Sequence, residues 1–192
     1  MVAGYFGVAA AAKSRAPTAP LWALMLASQV IDVLYVALIA FHVEGSAHFD
    51  ANHFEMLDAP YSHSALVALL IAVVAGLLAR RWGPRAAGAV AGVVIAHWLL
   101  DLVLLTGLTV LPGNAGGLPL LGFGLGSNPA ISLILDVVLT LAGAGLYWRS
   151  ATSLPAPSIR ASSEYRTQAL IAGTITVGLL VLALVADLFG LG

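Results

Sequence analysis

The sequence contains no cysteine and very little charge. Of its 192 residues only 9% are charged, whereas 60% are hydrophobic. The absence of cysteine excludes disulfides, thiolate metal sites and a cysteine nucleophile. A soluble domain carries about 25% charged residues, because water must wet its surface. The chain is therefore expected to be an integral membrane protein that forms a single transmembrane domain over residues 1–192.

The sequence also has no excess of basic over acidic residues. Eight Lys and Arg are balanced by nine Asp and Glu, which leaves a formal net charge of −1. Nucleic-acid binding requires a clustered basic surface. We therefore expect no nucleic-acid partner, and the bilayer itself is the first partner that the composition predicts.

Long apolar runs predict an all-α helical bundle with five spans and a short N-terminal half-helix. A helix needs about 20 mainly apolar residues to cross a bilayer. Five windows qualify, namely residues 20–43, 61–80, 85–107, 129–149 and 167–190. Residues 1–12 are apolar, but as a helix they would rise only about 18 Å. They are expected to form a half-helix that is re-entrant or interfacial.

The distribution of basic residues predicts the orientation of these spans. All of them lie near alternate connections: Lys13, Arg15, Arg80, Arg81, Arg85, Arg149, Arg160 and Arg166. Segments 44–60 and 108–128 contain none. Cytoplasmic loops are enriched in Lys and Arg. We therefore expect a multi-pass protein of the plasma (cell inner) membrane, with the Arg-bearing loops cytoplasmic and 44–60 and 108–128 external.

Ionisable side chains inside the predicted spans are costly to bury and need partners. The spans contain Asp32, His97, Asp101, Asp136 and Asp187, and His63 opens the second span. Counting 1.5 Å per residue from the outer boundary places all of these except Asp187 in the outer half, while Asp187 is expected at the interface. This convergence predicts an outward-facing polar site that brings Asp32, His63, His97 and Asp101 into one cavity.

Imidazole and carboxylate groups without thiolate form a ligand set for zinc, manganese or non-haem iron. We therefore expect a divalent metal ion at His63, His97 and Asp101. An alternative is purely structural: His97 and Asp101 form one buried hydrogen-bonded pair, and Asp32 pairs with Gln29. Histidines also occur in the 44–60 segment, at positions 48 and 53, where an exposed loop is commonly only solvated.

Two further chemistries receive less support from the sequence. A serine nucleophile at Ser62 or Ser64 would need His97 as its base, because adjacent residues seldom hydrogen-bond in the required geometry. The glycine-rich segment 111–128 lacks the preceding strand and the Lys-Ser/Thr of a phosphate loop. We expect it to pack closely against helix ends.

Short motifs over about residues 1–150 carry a resemblance to a known family. They are GYF at 4–6, AAK at 11–13, QVID at 29–32, PYSHS at 60–64, AHWLLD at 96–101, LPL at 118–120 and GFGLGSN at 122–128. The chain resembles a bacterial family of small multi-spanning proteins that are labelled membrane-bound metal-dependent hydrolases, or simply permease-like. It departs from the family pattern at Tyr5, Leu105 and Gly117, where that pattern has His, His and Asp.

The resemblance implies a metal-dependent hydrolase, and from the outward-facing polar site we expect it to act on a lipid or other amphiphile reached from the outer leaflet. His63 and His97 would be ligands and Asp101 a ligand or orienter. Asp32 would be a general base or would orient a ligand, so that Asp32 and Asp101 are the expected catalytic residues. The alternative function is non-catalytic: a small transporter or permease that uses Asp32, Asp101 and Asp136, or an accessory subunit with a protein partner or a second copy of the chain.

The third predicted span contains Gly88 and Gly92, a pair of small residues one turn apart. Such pairs let another helix backbone come close. The third span is therefore expected to be central to the bundle and to contact at least two other spans. On this interpretation Gly92→Leu destabilises the bundle by overpacking.

The orientation is testable by cysteine labelling, since the chain has no native thiol. A single cysteine at Ala51 is expected to react with an impermeant maleimide on intact cells, whereas one at Ser158 reacts only after lysis. The opposite result would reverse the orientation.

Overall fold

The structure is a computed structural model that describes residues 2–45, 59–153 and 161–188. The helices are α1 (Val2–Arg15), α2 (Leu21–Ala27), α3 (Val30–Ala40), α4 (Ala65–Ala79), α5 (Pro84–Leu104), α6 (Pro129–Ser153) and α7 (Ala161–Leu188). Short 3-10 turns occur at Arg80–Trp82, Pro112–Asn114 and Leu125–Ser127. The described residues contain no strand beyond one isolated bridge between Leu108 and Leu121. The predicted all-α class is confirmed.

Three helical segments are long and apolar enough to cross a bilayer: Ala65–Trp82, Pro84–Leu104 and Pro129–Ser153. Helices α2 and α3 are apolar enough only when taken together, and they meet at an angle of 51°, as in a broken span or a re-entrant loop. Within α7 the apolar part, Gly173–Asp187, is shorter than the about 20 residues that a span needs. The structure thus supports three spans, or four with the bent pair, of the five predicted.

The break between α2 and α3 falls at Ser28 and Gln29. The Ser28 hydroxyl donates to the carbonyl of Met25 at 2.8 Å, and Gln29 leaves the helical region at φ −121°, ψ −1°. A serine that bonds back to its own helix competes with the backbone and favours a bend. The break therefore has a local cause in two adjacent polar residues.

Helix α1 lies inside the bundle and contacts α2, α5, α6 and α7. Its alanines Ala3, Ala9 and Ala10 are fully buried, and such small side chains let neighbouring helices approach closely. The half-helix expected over 1–12, re-entrant or interfacial, extends to Arg15 and is packed on several sides, which contradicts only the interfacial alternative.

Two carboxylates cap the buried start of α1. Asp136 accepts a hydrogen bond from the Gly4 N–H at 2.6 Å, and Asp187 accepts one from the Ala3 N–H at 2.8 Å. The first N–H groups of a helix have no partner within it, and they attract negative charge. Asp136 and Asp187 thus have a structural role, in anchoring α1 to α6 and α7.

The closest helix crossing in this region joins α1 to α6 at two glycines. A methyl group at Gly7 would overlap the Leu139 carbonyl, and one at Gly143 would overlap the carbonyl of Gly7. Backbones approach this closely only where no Cβ intervenes. The placement of α1 therefore depends on Gly7 and Gly143.

Helix α5 contacts α1, α2, α3 and α4, as expected for a central helix. The predicted role of its glycines is wrong, however, because a Cβ at Gly88 or Gly92 meets nothing within 4 Å. At the α4–α5 crossing the close residue is Gly76, whose Cβ would lie 3.1 Å from the Ala91 Cβ. The expected overpacking by Gly92→Leu therefore does not apply within this chain. The rotation of each helix about its axis decides which of its glycines contacts a neighbour.

Gly143→Ala is expected to destabilise the bundle by about 1–3 kcal/mol, because its methyl group forces α1 away from α6. Gly145→Ala is the matched control, since a Cβ there meets nothing within 4 Å. Thermal unfolding in detergent measures both variants. Equal midpoints for the two variants would show that α1 and α6 do not cross at Gly143.

Candidate metal centre

Four ionisable side chains from three parts of the fold meet in the bundle. Asp32 lies in the first turn of α3, His63 in the turn before α4, and His97 and Asp101 one turn apart on α5. Asp32, His63 and His97 each offer a ligand atom, and these atoms lie within 4.8 Å of one another. The structure therefore brings together the four residues that the sequence analysis singled out, with three of them close enough to hold a metal ion.

The distances between donor atoms are those of ligands around one small cation. His97 Nε2 lies 3.2 Å from Asp101 Oδ2 and 3.5 Å from Asp32 Oδ1. His63 Nε2 lies 3.7 Å and 3.5 Å from the same two oxygens. Ligands at about 2.0–2.2 Å from a tetrahedral zinc ion are about 3.3–3.6 Å apart. The imidazole–carboxylate separations match this spacing.

The ring of His97 is oriented by the break between α2 and α3. Its Nδ1 lies 2.6 Å from the carbonyl oxygen of Ser28, which belongs to the end of α2, where carbonyls lack helical donors. Only a protonated Nδ1 can donate to this carbonyl, so Nε2 carries the free lone pair in the neutral ring. Metal-binding histidines commonly use their second nitrogen in this way.

The ring of His63 is oriented by a buried glutamate and serine. Glu44 accepts from the N–H groups of Tyr61 and Ser62 with Oε1, and from the Ser62 hydroxyl with Oε2 at 2.8 Å. The Ser62 Oγ lies 2.9 Å from His63 Nδ1. Because the single hydroxyl proton goes to the carboxylate, Nδ1 must be the donor to Oγ. The Nε2 lone pair of His63 therefore also faces the cluster.

Asp101 is held by Tyr5 from α1. The Tyr5 hydroxyl donates to Asp101 Oδ1 at 2.5 Å, and its ring stacks on His97 with 4.1 Å between centroids. The Tyr5 side chain thus positions both a carboxylate and an imidazole of the cluster.

Two atoms of the cluster are buried without a hydrogen-bond partner among the described residues. They are His97 Nε2 and Asp101 Oδ2, although they lie only 3.2 Å apart. Leaving a buried acceptor unsatisfied costs about 1–3 kcal/mol. A divalent cation would satisfy both atoms and would neutralise the two nearby carboxylates. The donor set therefore fits zinc, and also manganese or iron.

Asp32 differs from the other three members in its exposure. Its side chain is 40% exposed, whereas those of His63, His97 and Asp101 are buried. The described residues therefore leave Asp32 open to solvent or to a substrate, whereas they enclose the other three members of the cluster. The sequence predicts a metal ion at the other three residues, whereas the group whose ligand atoms all lie within 4.8 Å of one another is Asp32, His63 and His97, without Asp101.

Of the alternatives from the sequence, the His97–Asp101 pair is present as a contact of 3.2 Å between Nε2 and Oδ2, whereas the others fit this geometry less well. Gln29 Nε2 is buried without a hydrogen bond among the described residues, so no Asp32–Gln29 pair forms there. Ser62 does contact the adjacent His63, contrary to expectation, but its hydroxyl proton is directed to Glu44. His97 contacts Ser28 instead of serving Ser62. Asp136 caps α1, and positions 48 and 53 lie outside the described residues.

The turn that contains His63 is fixed by distant parts of the chain. Trp98 Nε1 donates to the His63 carbonyl at 2.8 Å, and Thr109 Oγ1 donates to the Pro60 carbonyl at 2.9 Å. The glycine-rich segment packs against the end of α5, as expected: a methyl group at Gly122 would overlap the Leu105 carbonyl. The turn before α4 and the segment after α5 thus act as a scaffold for the site.

Four residues that position the cluster are absent from the site predicted by the sequence analysis: Tyr5, Ser28, Glu44 and Ser62. Glu44 had one usable signal, because it is an acidic residue next to an apolar span. Ser28 acts through its backbone carbonyl, which no side-chain pattern reveals. Tyr5 and Ser62 carry ordinary hydroxyl groups. The partner of Tyr5, Asp101, lies far away in the chain, and Ser62 contacts the adjacent His63.

Tyr5→Phe is expected to weaken metal binding by about 10- to 100-fold, because it removes the hydrogen bond to Asp101 while retaining the ring on His97. Tyr147→Phe is the control, since Tyr147 packs in a separate cluster with Ala10 and Ala144. Competition with a zinc-responsive chelator measures both affinities. Unchanged affinity in Tyr5→Phe would show that Asp101 needs no positioning by α1.

Comparisons with models of protein families, with curated proteins and with solved structures find no match. The interpretation of the site therefore rests on the geometry of its residues. That geometry combines two imidazoles with oriented Nε2 atoms, two carboxylates and two unpartnered buried atoms.

Proposed function

We propose that this protein binds one divalent metal ion, zinc or else manganese or iron, through His63, His97 and the carboxylates of Asp32 and Asp101. The observation that carries the proposal is the direction of the two imidazoles. Each is held at Nδ1 by a hydrogen-bond acceptor, and each offers Nε2 to the same space between the two carboxylates. Such outer partners are typical of metal-binding histidines.

We propose further that the site performs hydrolysis, in line with the resemblance to membrane-bound metal-dependent hydrolases. A metal ion with an open coordination position supplies an activated water and polarises the bond to be cleaved. Within the chain, Tyr5 holds Asp101 in place, and Asp32 is exposed enough to accept a proton from water that enters the site. Four protein ligands would close a tetrahedral site, so in hydrolysis Asp32 has the role of general base while His63, His97 and Asp101 would hold the ion.

The surroundings of Asp32 favour an amphiphilic substrate. Its neighbours on α3, Val33 and Val36, are both exposed apolar residues. A lipid-like molecule can place its chain against such a surface and its polar part at the carboxylate. We propose a lipid or related amphiphile of the outer leaflet as the substrate.

The setting proposed for this activity is the plasma membrane of a bacterium. In this arrangement five spans cross the bilayer, α7 included, with 44–60 and 108–128 external and the Arg-bearing connections cytoplasmic. The alternation of Lys and Arg along the chain supports this orientation. The metal centre would then lie in the outer half of the bundle.

Metal binding is tested by elemental analysis of protein purified without chelator. About one equivalent of metal per chain is expected for the natural sequence, and almost none for His97→Ala or Asp101→Asn. His42→Ala is the matched control, because His42 is exposed beyond the end of α3. Equal metal in all variants, or none in any, would contradict the metal centre.

Hydrolysis is tested in proteoliposomes made from a bacterial lipid extract. We expect one lipid species to decline with time and its cleavage product to appear in the mass spectrum, only with metal present. Removal of metal by a chelator should stop the reaction, and its return should restore it. Metal binding without any change in the lipids would limit the site to a non-catalytic role.

A further inference from the structure

A second site candidate lies on the lipid-facing side of the bundle. An apolar groove of about 430 Å³ runs between α2, α4 and α5, and its walls include Leu26, Leu70, Val74 and Leu78. From Leu70 to Leu78 it follows α4 for about 12 Å. The hydrocarbon of one leaflet is about 15 Å thick. The groove thus has the length and the chemistry to hold one acyl chain.

One end of the groove is aromatic and cationic. The Arg81 guanidinium lies 4.2 Å from the centre of the Trp82 ring, and Trp22 meets Trp82 edge to face at 5.7 Å. All three residues line the groove. Tryptophan rings prefer the level of the lipid headgroups. This end therefore marks the depth at which the phosphate of a lipid would lie if its chain filled the groove.

The positive charge at this end is not compensated within the described residues. Arg80, Arg81 and Arg85 are exposed, and the ion pairs found in the described part of the chain all involve His63 or His97. A guanidinium group suits bidentate contact with a phosphate. Basic pockets between spanning helices are typical sites for anionic headgroups.

We propose that this groove binds a phospholipid with an anionic headgroup, whose acyl chain lies between α2, α4 and α5 and whose phosphate contacts Arg81. The site is separate from the metal centre. His63 precedes the start of α4 and Arg81 follows its end, so the 15 residues of α4, with a rise of about 22 Å, separate them. The proposal therefore stands whether or not the metal centre is catalytic.

Native mass spectrometry of the purified full-length protein tests the proposal, with phosphatidylglycerol and phosphatidylcholine of the same acyl chains as probes. The natural sequence is expected to bind phosphatidylglycerol at least about fivefold more tightly. Arg81→Gln should lower that affinity about fivefold and lower that for phosphatidylcholine less, because the choline group already offsets the charge of the same phosphate. Arg149→Gln is the control, because Arg149 is an exposed arginine on α6 that does not line the groove.

A second variant tests the groove itself. Ala75 lines it, and Ala75→Phe should weaken the binding of both lipids by filling the space for the chain. Equal binding of the two lipids by the natural sequence would overturn the headgroup site. Equal losses of phosphatidylglycerol affinity in Arg81→Gln and Arg149→Gln would show that the lipid is attracted by the positive surface in general and not by a site at Arg81. Unchanged binding in Ala75→Phe would place the lipid elsewhere.

Discussion

The need to satisfy buried polar groups inside an apolar bundle governs the arrangement of this protein. Two carboxylates and two imidazoles lie together among helices that are otherwise apolar. Isolated charges in such surroundings cost many kcal/mol, so they must be paired, hydrogen-bonded or bound to a cation. Most of the polar atoms that point away from the centre of the cluster form hydrogen bonds with other groups of the chain. The remaining unpartnered atoms converge on one space, and this is the arrangement that a metal ion requires.

The partners of the cluster come from irregular parts of the helices. The Ser28 carbonyl is available to His97 because the helix breaks there, and Glu44 reaches Ser62 from beyond the end of α3. A continuous helix would have used its own carbonyls internally. The 51° bend between α2 and α3 therefore supplies a hydrogen-bond acceptor and places Asp32 at the site.

Much of the site's composition could be predicted from the sequence, because the price of burying a charge in lipid makes each intramembrane Asp and His conspicuous. Asp32, His63, His97 and Asp101 were identified in this way, from depth and from the one-turn spacing on α5. Their orientation could not be predicted. The tautomer of His63 depends on Glu44 through Ser62, and the position of Asp101 depends on Tyr5, which is 96 residues away in the chain.

By itself, the sequence determined the all-α architecture, the three helices α4, α5 and α6 that are apolar enough to cross a membrane, and the imidazole and carboxylate groups of the site. These properties follow from transfer free energies and spacing within one segment. Only the tertiary structure decided that α1 is inserted into the bundle, that Gly7 and Gly143 are the packed glycines while Gly88 and Gly92 face open space, and that Asp136 caps a helix. These features depend on how each helix is rotated against its neighbours. Where every face of a helix is apolar, its sequence contains little information about that rotation.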